Sequence, residues 1–543
     1  MKNAEKRKNQ KIYRITLCLF IVLEIFLLCF LWRNINLMLN SDDASELILA
    51  KILSIEKKIL TKSWYYSTEI RFLNTNLIYT PFFWIFKKWH TVRMCSIVIM
   101  HAIYIASGYF LCKEGRCVQC FPIVALAMIT PISAEYFDIV LKGAYYIPHI
   151  VISFLGIGLL FRYINNQGMK KWSSLLISTL LAILSCMGGI RQFIVFYFPL
   201  FLTGLFLLGM SVIESGGKKP KKNICLKIVM VAGINSAGAC VGYYINTHYL
   251  AQQYKFQLWN NLSYTAFDWN KLITVFNGFL KTFGFIEGPV NLKSTLSNGI
   301  SVCIFCATVL ALVYAWKKRT TISKEYHIIA IFYVMNVAVF TLLYTMTDMV
   351  FKSRYNQPIA VFSFLVIAMW IRELDWISLK KMCLYGCYCV SLLLGGILVY
   401  KSLYSDFVVS GYQKEKITIA NMLVKNGYYQ GYASFWNANI LTELSDGEID
   451  MYDFGNTNDP TLMQDVNDIN QMFPWLQLVK HDYEKPKGKV FILLTKDELY
   501  NCNWRQGLEN RTALYESDTY ILYCFDNHEE MMDYIGDTTN VPR

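Results

Sequence analysis

Two adjacent carboxylates stand where the chain leaves its first long apolar run: Asn40-Ser41-Asp42-Asp43-Ala44-Ser45-Glu46 follows closely on the segment Ile15 to Trp32. Charge so near hydrocarbon is costly to keep, which marks Asp42 and Asp43 as candidates for chemistry, either as a general base or as oxygen ligands of a cation. Asp42 is the candidate metal ligand, with Mg or Mn as the cation; beyond that the residues name no cofactor. A local explanation competes. Asp43-x-x-Glu46 has capping-box spacing, and acids favour a helix N-terminus. A cap needs only one aspartate, and the motif has two.

Cations stand at corresponding positions further on. Gly188-Gly189-Ile190-Arg191-Gln192 opens one apolar segment and Lys352-Ser353-Arg354-Tyr355-Asn356-Gln357-Pro358 opens another, while Asp138 and Lys142 share a short turn and Asp348 lies near a fourth. A guanidinium offers a planar fork of donors that suits phosphate, so Arg191 and Arg354, with Tyr355 beside the latter, are candidate phosphate ligands. The competing reading has them snorkel or pair with Asp138 or Asp348. Glu69 and Arg71 sit in the aromatic stretch Trp64 to Arg71, and Trp436-Asn437 in Tyr432 to Asn439. With Asp138 they form the candidate substrate-binding set; an interfacial aromatic belt explains the first stretch equally well, and a buried strand leading into a capped helix the second.

The elements that position these residues follow from composition. The chain has 543 residues, 55% hydrophobic and 17% charged, with mean hydropathy +0.32, too apolar for an ordinary soluble enzyme. The net charge of +13 is dispersed in short Lys/Arg runs between apolar segments, a pattern that reports topology and argues against a nucleic-acid partner. Spans are expected at 15–32 and about 91–112, 117–134, 144–163, 173–188, 190–213, 226–246, 297–316, 326–347, 358–371 and 382–400, about eleven transmembrane helices in all. The basic amino terminus and the runs around Arg116, Lys170, Lys218, Lys317 and Lys380 all fall on one side. By the inside rule this predicts a multi-pass cell-membrane protein with a cytoplasmic N-terminus and with loops 33–90 and 247–296 and residues 401–543 extracytoplasmic. Residues 1–400 then form the transmembrane domain. Residues 401–543 are expected as an extracytoplasmic α/β domain: Gly411 to Lys425 has helical spacing, and Lys489 to Leu494 and Thr519 to Phe525 read as strands. Of 16 cysteines, only Cys502 and Cys524 lie in this region, where they could bridge; Cys117-x-x-Cys120 lacks a partner pair.

Together these residues resemble the GT-C superfamily, the polyprenyl-phosphate-sugar-dependent integral membrane glycosyltransferases. The resemblance covers about residues 1–400 and rests on Asp42-Asp43, an amphipathic outer helix, Arg191 and Arg354-Tyr355-x-x-Pro358. It implies a polytopic helical fold, an acid in the first outer loop acting as base or holding a metal, and basic residues gripping a lipid phosphate. Carried over by position, Asp42 or Asp43 is that acid, and Arg191 and Arg354 the phosphate ligands. The implied partners are membrane lipids, a polyprenyl-phosphate-linked sugar and an extracytoplasmic glycan or polymer acceptor. The motif reads Asp-Asp where many members have Asp-Glu, and the extended signatures of the oligosaccharyl and protein-mannosyl branches are missing, which leaves the acceptor open. A transporter or flippase for lipid-linked sugars, or an assembly component, is the alternative from another class; the lack of an internal repeat speaks against transport.

Overall fold

A computed structural model describes residues 2–70, 72–215, 222–256, 263–374, 378–454, 469, 472–502, 504–509 and 511–536. The chain divides into two compact units. One comprises Met1–Leu31, Ile97–Tyr249 and Leu258–Tyr404; the other comprises Trp32–Ser96, Leu250–Gln257 and Ser405–Arg543. The boundaries therefore fall within helix α1 (Lys2–Asn34) and, further on, within the helix Trp89–Glu114.

The first unit is helical. Among the described residues nine helices are long and apolar enough to cross a membrane, or ten with the bent pair Val118–Ile129 and Ala134–Lys142 taken as one span. The expected eleventh falls on Gln357–Glu373, whose 17 residues rise about 26 Å, short of the ~30 Å hydrocarbon core. The 94° bend of the pair comes at Pro131, which cannot continue a helix. The chain restarts at Ser133, whose hydroxyl accepts the Tyr136 N–H at 3.1 Å. Helices Met169–Cys186 and Lys222–Ile245 approach closely at Gly242, where a Cβ would meet the Ile183 carbonyl at 2.1 Å. Within the bundle Glu24 is matched by His101: Nδ1 lies 2.9 Å from the carboxylate and Nε2 3.0 Å from the Leu141 carbonyl.

The second unit is built on a five-stranded sheet of β1 (Gln430–Ala433), β2 (Asp450–Asp453), β3 (Val490–Thr495), β4 (Tyr515–Glu516) and β5 (Tyr520–Phe525). Their order is β2-β1-β3-β5-β4, with β1 parallel to both neighbours and β5 antiparallel to β3 and β4. The runs VFILLT and YILYCF are apolar throughout because both sheet faces are covered. Val490, Ile492 and Leu494 join one core with Trp504, Leu508 and Met531, and Phe491 and Leu493 join another with Ile419 and Leu423 of the helix Tyr412–Lys425. Cys502 belongs to the first core and Cys524 to the second. Opposite faces keep them apart; both are free thiols, and burial pushes them up to about 11 and about 12. β2 ends on Asp453, fully buried with neither carboxylate oxygen hydrogen-bonded among the described residues. Burial first, and the nearby Glu498 second, push its pKa well above the usual carboxylate range.

The same unit takes in residues that follow the first apolar helix: α2 (Ser41–Glu56) and α3 (Asn76–Phe82), followed by α4 (Trp89–Glu114). α2 packs against the helix Phe435–Leu444 and against α3. Its residues Ala44, Leu47, Ile48, Ala50 and Leu53 are buried, while Ile55 near its end is exposed.

Candidate active site

The acidic motif is positioned by the start of α2. Asn40, in extended backbone, is the N-cap: its side chain accepts the Asp43 N–H at 2.8 Å, and the Asp43 carboxylate accepts the Asn40 N–H at 3.3 Å. The capping box thus lies three residues upstream of the expected Asp43-x-x-Glu46, because Asn serves as an N-cap as well as Asp does and the helix can begin one turn earlier. Asp43 closes the box instead of opening it and is buried. Glu46 points inward, where its carboxylate accepts the Thr75 hydroxyl at 2.6 Å. Asp42 is half-buried, at the second position of the helix, and the capping bonds make no use of its carboxylate.

Around this turn the backbone is held from the far end of the chain. The Ser41 hydroxyl donates to the Phe435 carbonyl at 2.5 Å, and Arg93 Nη2 donates to the Asp43 carbonyl at 2.9 Å. Arg93 is itself fixed by a buried fork to Glu443, with Nε and Nη2 at 2.6 and 2.5 Å, and faces the Tyr79 ring at 5.9 Å. A buried guanidinium needs both a paired charge and a second acceptor to offset its lost hydration; Glu443 and the Asp43 carbonyl provide them. Glu69 is also buried in this unit, and Arg71 lies outside the described residues. Asn437 is buried and donates to the Ser434 hydroxyl at 3.1 Å, which turns β1 into the following helix. Trp436 is half-buried, and its carbonyl accepts the Lys416 ammonium at 3.2 Å.

The cationic residues gather within the first unit. Arg191 follows Gly189, whose φ of +150° suits a residue without a Cβ, and its guanidinium lies 5.4 Å from the Tyr146 ring and 5.6 Å from the Tyr355 ring. Arg191 is half-buried between two aromatic faces. Beside it, His149 Nδ1 and Gln192 Oε1 are 3.1 Å apart. Arg354, next to Tyr355 in the chain, has Nε 3.7 Å from the Glu135 carboxylate, whose other oxygen takes the Ser353 hydroxyl. Its carboxylate neighbour is therefore Glu135, where the sequence suggests Asp138 or Asp348. Asp138 pairs with Lys142 at 2.5 Å across one turn, and Asp348 accepts the Ser263 N–H at 3.1 Å. The cluster can do what its groups suggest: planar cations flanked by tyrosines bind an anionic oxygen group while Glu135 and Ser353 fix one of them.

Among the described residues no three Asp, Glu, His or Cys side chains come together as a cation's ligand set. Asp42 has no such companions for Mg or Mn, and no step below is routed through a metal.

No family model matches the chain, and no curated protein matches it. Solved structures do. ArnT from Cupriavidus metallidurans in the apo state superposes with a TM-score of 0.55, and the same protein bound to undecaprenyl phosphate with 0.53; each is 8% identical and covers 93% of this chain and 97% of that one. ArnT is a GT-C glycosyltransferase. The chain has a GT-C fold. That fold is a polytopic bundle of membrane-spanning helices with a C-terminal region built on a small sheet. Sequence reasoning overlooked Tyr146, Glu135, Arg93 and Glu443. Glu135 was within reach, three residues before Asp138 in the same short helical segment; Arg93 and Glu443 are 350 residues apart, and no local spacing links them.

Proposed function

We propose that this chain is an integral membrane glycosyltransferase that moves a sugar from a polyprenyl-phosphate carrier to an extracytoplasmic acceptor, a cell-surface glycan or polymer. The observation that carries the reading is Arg191 between Tyr146 and Tyr355 with Arg354 and Glu135 adjoining, in a chain whose GT-C-fold neighbour holds undecaprenyl phosphate. In this reaction an acceptor hydroxyl attacks the anomeric carbon and loses its proton to a base; the bond from that carbon to the phosphate oxygen breaks, and the phosphate leaves on its lipid. Asp42 is the base, because its carboxylate is half-buried and outside the cap. Arg191 and Arg354 balance the charge that grows on the leaving phosphate. Asp43 holds the turn that presents Asp42. The Lys/Arg bias of alternate loops supports an orientation with the N-terminus in the cytoplasm and Asp42, Arg191 and the C-terminal sheet outside.

The test is transfer itself. Full-length protein in nanodiscs, given a panel of labelled polyprenyl-phosphate sugars and cell-envelope glycan, is expected to release free polyprenyl phosphate in step with labelled glycan. Donor that binds and is recovered intact, with the lipid moved between leaflets, makes the protein a transporter and refutes the reading.

A further inference from the structure

The C-terminal end of α2 carries a feature that sugar transfer does not use. Between α2 and α3 lies a cavity of about 450 Å³ lined by Leu53, Lys57, Lys58, Leu77, Pro81 and Trp84, with Ile59, Asn76 and Thr80 completing it. That volume is in the range of small-molecule sites. Its walls are apolar, with two ammonium groups among the lining residues.

The surroundings say which ligand. Ile59 is 56% exposed and Trp84 63%, both among the lining residues, and their chain neighbours Ile55 and Ile85 are each 68% exposed. Lys57, at the left-handed C-cap of α2 with φ 53°, and Lys58 are both exposed. Glu56, the nearby acid, is already occupied: its carboxylate accepts Thr61 at 2.8 Å and Ser63 at 2.9 Å and lies 3.5 Å from Lys58. Exposed apolar side chains mixed with lysines form a surface for an anionic bilayer. Only residues 35–40 separate α2 from α1, and only residues 83–88 separate α3 from α4, both helices apolar enough to cross a membrane.

We propose that this cavity binds an anionic glycerophospholipid of the surrounding bilayer, one acyl chain between α2 and α3 and its phosphate on Lys57 and Lys58. Because α2 presents Asp42 at its other end, the lipid steadies the helix that carries the acidic motif. The proposal rests on the membrane setting alone and stands whether or not the chain transfers a sugar.

Full-length protein in nanodiscs of equal phosphatidylglycerol and phosphatidylcholine is released into mild detergent, and its retained lipid is counted by native mass spectrometry. The parent is expected to retain phosphatidylglycerol over phosphatidylcholine by about tenfold, the worth of one charge-assisted contact. Lys57→Gln/Lys58→Gln brings the two to parity, and Leu77→Trp, which fills the cavity, removes bound lipid of either kind; unchanged thermal midpoints show that both variants fold. Equal retention in the parent, or parental retention in both variants, overturns the proposal. So does polyprenyl phosphate at equal concentration displacing phosphatidylglycerol from the parent, which makes the cavity a carrier site.

Discussion

Replacing each motif aspartate by asparagine separates catalysis from capping. At Asp43 the substitution keeps an acceptor for the Asn40 N–H, now at 3.3 Å, and leaves the carbonyl that Arg93 grips untouched. It removes a negative charge from the first turn of a helix, about 0.3–1 kcal/mol, and leaves the Glu443 carboxylate on Arg93. Asp42→Asn removes the same charge one residue earlier, at about the same cost in stability. If Asp42 is the base, turnover falls about 100-fold, roughly 2.7 kcal/mol on the barrier, several times the loss in stability. Initial rates of sugar transfer from purified lipid donor, with thermal midpoints for each variant, read the two effects apart. The expected pattern is two similar, small drops in midpoint with one inactive enzyme, Asp42→Asn. Parental rates in both variants would refute a chemical role for the pair, and an inactive Asp43→Asn beside an active Asp42→Asn would reverse the assignment.

Arg191→Ala should weaken use of a lipid-phosphate donor by about 10- to 150-fold, the range of a charge-assisted contact; Arg191→Lys should recover part, since an ammonium keeps the charge but gives Tyr146 and Tyr355 no planar face. Donor titrations that leave both variants at parental affinity would move the phosphate to Arg354. Asp453 has a folded pKa raised by burial, so the folded state binds the extra proton and stability falls as pH rises from the unfolded value toward the folded one, by about 1.4 kcal/mol per unit. Asp453→Asn should remove this slope; hydrogen exchange of β2 and β3 in the full-length protein between pH 5 and 8 measures it, and equal slopes in parent and variant would contradict it. Cysteines introduced at exposed positions of the C-terminal sheet domain should react with an impermeant thiol reagent in whole cells, while native Cys502 and Cys524 stay silent because they are buried and their pKa values raised. Labelling only after lysis would invert the topology.

What could be read from the sequence was what is local or periodic. Apolar runs gave their helices away, although the span expected at 117–134 is bent at Pro131, and VFILLT and YILYCF declared buried strands. β2 was missed because DMYD carries an aspartate at each end and has no apolar run. The capping box was misplaced by three residues because Asn40 and Asp43 are near-equal caps and spacing cannot rank them. Arg191 could be singled out by its place at the head of a span. Its tyrosine walls could not, since Tyr146 and Tyr355 meet it only when three separate helix ends converge, and Glu135 was passed over for acids that the structure pairs elsewhere.

The fork from Arg93 to Glu443 has a consequence for synthesis. The acidic motif and Arg93 leave the ribosome early, but the carboxylate that fixes the guanidinium follows 350 residues later. At about 5–20 residues per second that is a wait of roughly 20–70 s. During it the bundle helices enter the membrane while the segment from Trp32 to Ser96 lacks the partner that orders it. The motif on which the proposed chemistry depends is therefore assembled last, although it is made first. A chain stopped short of Glu443 contains each candidate catalytic and phosphate-binding residue and leaves Arg93 without its carboxylate.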